Sequence, residues 1–154
     1  MIYACDLANF IIKKCCDDNE PINNIVLNHL LYSIQLRHIG MTDDFLFPDD
    51  IEAWQFGAVI PDVYYKHCSN GVMPIMMPSY STSPYLSNIS SSAQMLINRT
   101  ITTERNYKPW EFKNRLYYDT SVWAEARKAS TKTHNAIITI DMMHREAEKR
   151  LFRV

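Results

Sequence analysis

The stretch Ile51-Glu-Ala-Trp-Gln-Phe-Gly-Ala-Val-Ile-Pro-Asp-Val-Tyr64 limits what this chain can fold into more than any other. Trp54 and Phe56 stand two apart, so in an extended segment both rings point to the same side. Gly57 then frees the backbone for a turn, or for a close approach that a Cβ would block. Pro61 stops what precedes it and suits the first turn of a new helix, where its missing N–H costs nothing. The expected local structure is a strand-like or looped aromatic segment that feeds a short helix from Pro61 to about Ser69, ended by Gly71. Two uses of the rings are open. Trp54 alone suits an aromatic plug that closes a small core, and the set together suits a loop held in shape for a partner.

The flanking periodicity is helical. Ala4, Leu7, Ala8, Ile11, Ile12 and Cys15 repeat at three and four, which predicts a helix from about Tyr3 to Cys16. Asp6 in its first turn and Lys13-Lys14 in its last suit the helix dipole, and the run Asp17 to Pro21 breaks it. A second helix is expected from a cap at Asn23 or Asn24 to about Ile39, with Leu27, Leu30, Leu31, Ile34 and His38 on one face and Gly40 at its C-terminus. The short link predicts that the two pack antiparallel. Tyr32, Gln35 and Arg37 fall off the apolar stripe, which leaves them for solvent or for a neighbour.

Further along, Phe45-Leu46-Phe47 alternates like a short strand before Pro48, and Val72 to Met77 reads as another that pairs with the segment around Glu52 to Phe56. Ser79 to Ser92 is rich in serine but carries Tyr80, Tyr85 and Leu86. It reads as an ordered surface loop, better suited to partner contact than to catalysis because it offers hydroxyls without a base. Ser90 or Ser91 caps a short helix through Ile97, Pro109 opens a turn of helix with Trp110, Phe112 and Leu116, and Asp119-Thr120-Ser121 caps another through Ala129. A last helix is expected from about Thr133 to Phe152. The fold class is mainly α: a compact helical domain with a small accessory β-element, one domain over residues 1–154, large enough for a core without disulfide staples.

Chemistry is sparse. The four cysteines contain no Cys-x-x-Cys pair, and Cys15-Cys16 are too close to bridge comfortably, so neither a zinc site nor a disulfide framework is indicated. The five histidines form no His-x-x-x-His pair, and there is no glycine-rich phosphate loop and no Gly-x-Ser-x-Gly. Asp43, Asp44, Asp49 and Asp50 lack a defined ligand spacing and read as a solvated loop. No enzyme activity, metal or cofactor is therefore expected. No apolar run approaches a membrane span, and the first residues lack a basic, then apolar, leader pattern, so a cytoplasmic protein is expected. Charge is uneven: residues 1–98 hold 4 Lys+Arg against 10 Asp+Glu, and residues 99–154 hold 12 against 7. That polarity suits compensation within the fold, self-association, or a basic patch for an acidic partner.

Several of these pieces together resemble a known family. Leu27-Asn-His-Leu-Leu-Tyr-Ser-Ile-Gln35, then Glu52-Ala-Trp54, Gly57, Val59-Ile-Pro61, Val63-Tyr64 and Gly71, are similar in order and spacing to the Panacea domain, also called the SocA-like antitoxin domain. Ser92-Ala-Gln-Met-Leu96 through Glu104 to Pro109-Trp110 is similar to a later segment of that family. The chain departs from the pattern at His29, where the family has Lys, at Ser33, where a second Tyr is common, and at Ala58, where Pro follows the glycine. It also lacks a His of the later segment, and it is shortened around 76–92, where a serine-rich run replaces a long helix.

The resemblance implies a non-enzymatic, cytoplasmic protein of a bacterium or mobile element that binds a cognate toxin and holds it inactive by direct contact. On this reading the candidate partner-binding residues are Tyr32, Gln35, Trp54, Phe56, Tyr64, Tyr80 and Tyr85. The alternative is a phage or mobile-element inhibitor that uses the same domain to block a host defence complex, for example a CRISPR effector. A homo-oligomer and a role for nucleic acid at the basic C-terminal region both stay open.

Overall fold

A computed structural model describes residues 2–78, 86 and 88–151. Among them the protein is mainly α-helical, with one two-stranded hairpin. The elements are α1 (Ala4–Asp17), α2 (Asn24–Thr42), β1 (Glu52–Trp54), β2 (Gly57–Val59), α3 (Pro61–His67), a 3-10 turn (Cys68–Asn70), α4 (Ser91–Glu104), α5 (Pro109–Leu116), α6 (Val122–Ala129) and α7 (Ile140–Leu151).

Helix α1 forms as its sequence predicts, with Ala4, Leu7, Ala8, Ile11, Ile12 and Cys15 all buried. Its N-cap, Tyr3, supplies no capping side chain; instead the Ala4 amide donates to Asp49 Oδ2 at 3.0 Å. One of the four acids between 43 and 50 thus satisfies an amide that a helix start leaves open.

Helix α2 departs from the expected single stripe. Asn23 caps it by accepting from the Val26 amide at 2.9 Å, as the sequence suggests, but the helix passes through Gly40 and ends only at Asp43, whose φ of 61° places it in the left-handed region. α1, α3, β2, α4 and α7 all pack against it. A helix enclosed in this way over most of its length has little solvent face to mark by polarity, although Arg37 is exposed as its place off the stripe suggests. Tyr32 and Gln35, expected off the stripe, are therefore 0% and 1% exposed.

Polar groups on α2 are spent on fixing its neighbours. Asn28 Oδ1 accepts from the Ile60 amide at 2.9 Å and its Nδ2 donates to the Asn24 carbonyl, while Asn24 Nδ2 donates to the Tyr64 carbonyl at 2.9 Å. Gln35 Oε1 accepts from the Leu46 amide at 2.7 Å and its Nε2 donates to the Phe47 carbonyl at 2.8 Å. The side-chain amide stands in for a neighbouring strand, which is why Phe45 to Phe47 stays an irregular segment and not the short strand its alternation suggests.

The β-element is a hairpin, with Glu52 opposite Val59, Ala53 opposite Ala58 and Trp54 opposite Gly57 around a Gln55-Phe56 turn. The strand expected at Val72 to Met77 does not form; the Ile75 amide donates instead to the Ile22 carbonyl. The outer edge of β1 is taken by a segment from the far end of the chain. The Ala53 amide donates to the Ala136 carbonyl at 2.9 Å, the Ile138 amide donates to the Ile51 carbonyl at 2.8 Å, and Glu52 bridges to Ile137. That pairing takes extended backbone, so the last helix starts at Ile140 and not near Thr133. Internal charge compensation is present as well: Arg105, 10% exposed, contacts Asp18 at 2.6 Å and Glu20 at 2.8 Å, joining the basic half to the acidic one.

Candidate functional site

Four aromatic side chains meet where the hairpin runs into α3. The Trp54 ring centre is 4.8 Å from that of Tyr64, 6.0 Å from Phe56 and 6.0 Å from Tyr65, and Tyr64 and Tyr65 touch edge-on at 5.5 Å. Trp54 and Tyr64 are half-buried, while Phe56 and Tyr65 remain 43% and 62% exposed. Rings that pack on one another yet keep solvent-facing surface offer a large apolar area, and here also two phenolic hydroxyls for hydrogen bonding.

The backbone beneath them is held from several sides. Trp123 Nε1 donates to the Trp54 carbonyl at 3.0 Å, and Arg127 Nη1 donates to the Ala53 carbonyl at 2.9 Å and to Asn135 Oδ1 at 3.0 Å. Trp54 Nε1 donates to Glu52 Oε1 at 3.1 Å, which sets the indole along the strand. Asn24 and Asn28 hold the α3 end of the cluster. Pro61 sits in the first turn of α3, as its fixed φ and missing amide favour.

Under the hairpin lies a buried histidine. His29 Nδ1 and Tyr117 Oη are 2.5 Å apart, and the His29 ring stacks on Phe112 at 4.5 Å. Burial pushes the imidazole down to about 4, so it is neutral at ordinary pH and shares a hydrogen bond with the Tyr117 hydroxyl. Burial also raises the Tyr117 hydroxyl well above its usual range, with the Ala58 amide acting on the same oxygen in the opposite sense. The pair is almost wholly buried, His29 and Tyr117 each being 5% exposed. It acts as internal support for the hairpin.

The seven residues singled out from sequence divide accordingly. Trp54, Phe56 and Tyr64 come together in the aromatic cluster. Tyr32 and Gln35 do not: both are core residues, closed off by the helices around α2, and neither can touch a partner. Tyr80 and Tyr85 lie outside the described residues. Tyr65 belongs to the cluster and was not singled out, although successive helical positions differ by about 100°, which turns it outward from the buried Val63 side. Among the described residues no three His, Cys, Asp or Glu side chains are grouped to hold a metal ion, and no helix is long and apolar enough to cross a membrane. The four cysteines are unpaired. No protein-family model, curated protein or solved structure matches the chain.

Proposed function

We propose that this is a non-enzymatic, cytoplasmic binding protein of the antitoxin kind, which masks a cognate toxin by direct contact through Trp54, Phe56, Tyr64 and Tyr65. The observation that carries the reading is the half-exposed aromatic cluster on a backbone fixed by buried hydrogen bonds. Binding energy at protein interfaces concentrates in a few aromatic or arginine anchors, each costing about 2 kcal/mol or more on truncation. Anchors already held in place lose little freedom on binding, so more of the contact energy appears as affinity.

The residues that carry the resemblance to the Panacea domain support the same surface. Glu52-Ala-Trp54 forms β1, Gly57 begins β2, Pro61 opens α3 and Tyr64 lies on it. Neutralisation is then steric: the partner's working surface is covered by the rings. The test is a growth assay in which a small toxic protein encoded beside this gene is expressed with or without it. Growth is restored by the native protein and not by the Phe56→Ala, Tyr65→Ala double variant, which remains folded. Equal rescue by both forms rules out the aromatic cluster as the masking surface.

A further inference from the structure

A second surface, sharing no residue with the aromatic cluster, is a groove of about 1330 Å³ between α2, α4, α5 and α7. Its charged lining residues are Arg37, Arg99, Arg115 and Arg150, with Glu104 as the one acid among them. Arg37 Nη2 is 2.5 Å from Glu104 Oε1, and that carboxylate is almost fully buried, so one arginine is balanced from within. Three cations are left. Arg99 is exposed, Arg115 lies exposed with its guanidinium 4.8 Å over the Tyr107 ring, and the half-buried Arg150 donates to the Arg115 backbone carbonyl. Met41 and Met95, 45% and 72% exposed, and the half-buried Leu96 supply the open apolar lining between them.

We infer that this groove binds an acidic, amphipathic peptide segment of a protein partner, in which carboxylates meet Arg99, Arg115 and Arg150 while aliphatic or aromatic side chains cover the apolar lining. Guanidinium groups suit carboxylates through paired N–H donors. A phosphodiester backbone would satisfy the arginines equally well, but it carries nothing to place against Met41, Met95 and Leu96. An amphipathic segment with anchors at helical spacing satisfies both parts of the lining. This goes beyond the masking surface proposed above, and it stands or falls separately, because the substitutions that test it leave Trp54, Phe56, Tyr64 and Tyr65 untouched.

The experiment is a selection from a random peptide display library on the immobilised protein, followed by fluorescence anisotropy with the enriched peptide. The inference expects Asp and Glu interleaved with Leu, Phe or Trp. It expects affinity to fall roughly tenfold or more in the Arg99→Glu, Arg115→Glu double variant, and to weaken as salt rises. Arg145→Glu, an exposed change of the same sign outside the groove, leaves the affinity within about twofold. Both variant sites are on the surface, and circular dichroism checks that the fold is kept. Enrichment of neutral or basic peptides overturns the inference, as does affinity unchanged by the double variant. Displacement of the enriched peptide by a single-stranded oligonucleotide that binds more tightly assigns the groove to nucleic acid. Self-association of the free protein that the double variant abolishes assigns it to a second copy of this chain. Either result also overturns the inference.

Discussion

A Cβ placed on Gly57 would lie 2.6 Å from His29 Cε1 and 2.8 Å from the Tyr117 ring, so the hairpin and the central helix meet at a point with no room for a side chain. Gly57 has φ 146°, a backbone that L side chains rarely adopt. Gly57→Ala therefore combines a strained backbone with a clash against rings that are themselves enclosed. The expected cost is about 3 kcal/mol in denaturant unfolding. The change should also loosen the aromatic cluster, seen as loss of near-ultraviolet dichroism from Trp54.

The same contact makes stability depend on pH. In the unfolded chain His29 titrates near its ordinary value of about 6.5, whereas burial holds it at about 4 in the folded protein. Above the higher value the ring is neutral in both states and contributes no slope. As pH falls from about 6.5 towards 4 only the unfolded chain takes up the proton, so stability is lost at up to about 1.4 kcal/mol per pH unit, about 3 kcal/mol in all. His67, also lowered by burial, adds a loss of the same sign. Unfolding free energies measured across this range should show the slope, and His29→Gln should make it shallower, leaving the part that His67 contributes.

Gln35 is a second place where one side chain carries backbone structure. Truncation in Gln35→Ala removes the bonds to the Leu46 amide and the Phe47 carbonyl and leaves both groups buried. An expected loss of about 2–4 kcal/mol follows from two unsatisfied buried groups. Hydrogen exchange at the Leu46 amide should accelerate with it, which a generalised loss of packing would not single out.

Tyr32 predicts the opposite sign. Its hydroxyl is fully buried with no hydrogen-bond partner among the described residues. Tyr32→Phe keeps the ring stacked near Tyr117, at 6.2 Å, and removes an unsatisfied oxygen. Stability should rise by about 1 kcal/mol, read as a higher denaturant midpoint with an unchanged slope.

How far the sequence discloses these features depends on how each segment is enclosed. α1 has solvent on one side, and the residues that its three-and-four spacing marks are all buried, with Asn9 the one buried residue outside that pattern. α2 is surrounded, so polarity around it no longer reports exposure, and the same reasoning that succeeds for α1 puts Tyr32 and Gln35 on the wrong side. Residues 136–138 look helical by spacing because Ala136 and Ile140 are four apart, but their backbone is claimed by the free edge of β1, a partner more than 80 residues away that local pattern does not contain. Trp54, Phe56, Gly57 and Pro61 were legible because each has a strong local preference that the structure uses. Tyr65 was not, since nothing but its place one step past Tyr64 distinguishes it from a core tyrosine.

The masking surface is open to a direct comparison. Tagged native protein and the Phe56→Ala, Tyr65→Ala double variant would be used side by side to capture partners from the native host, with quantitative mass spectrometry of what each retains and unfolding curves on both. Because the two side chains are 43% and 62% exposed, the variant should lose no more than about 1 kcal/mol of stability. The native protein should retain one small toxic protein that the equally folded variant releases. Retention of the same partner by both forms, or collapse of the variant's fold, would contradict the assignment of these rings to partner binding; a large defence assembly held through them would keep the surface but replace the toxin as its target.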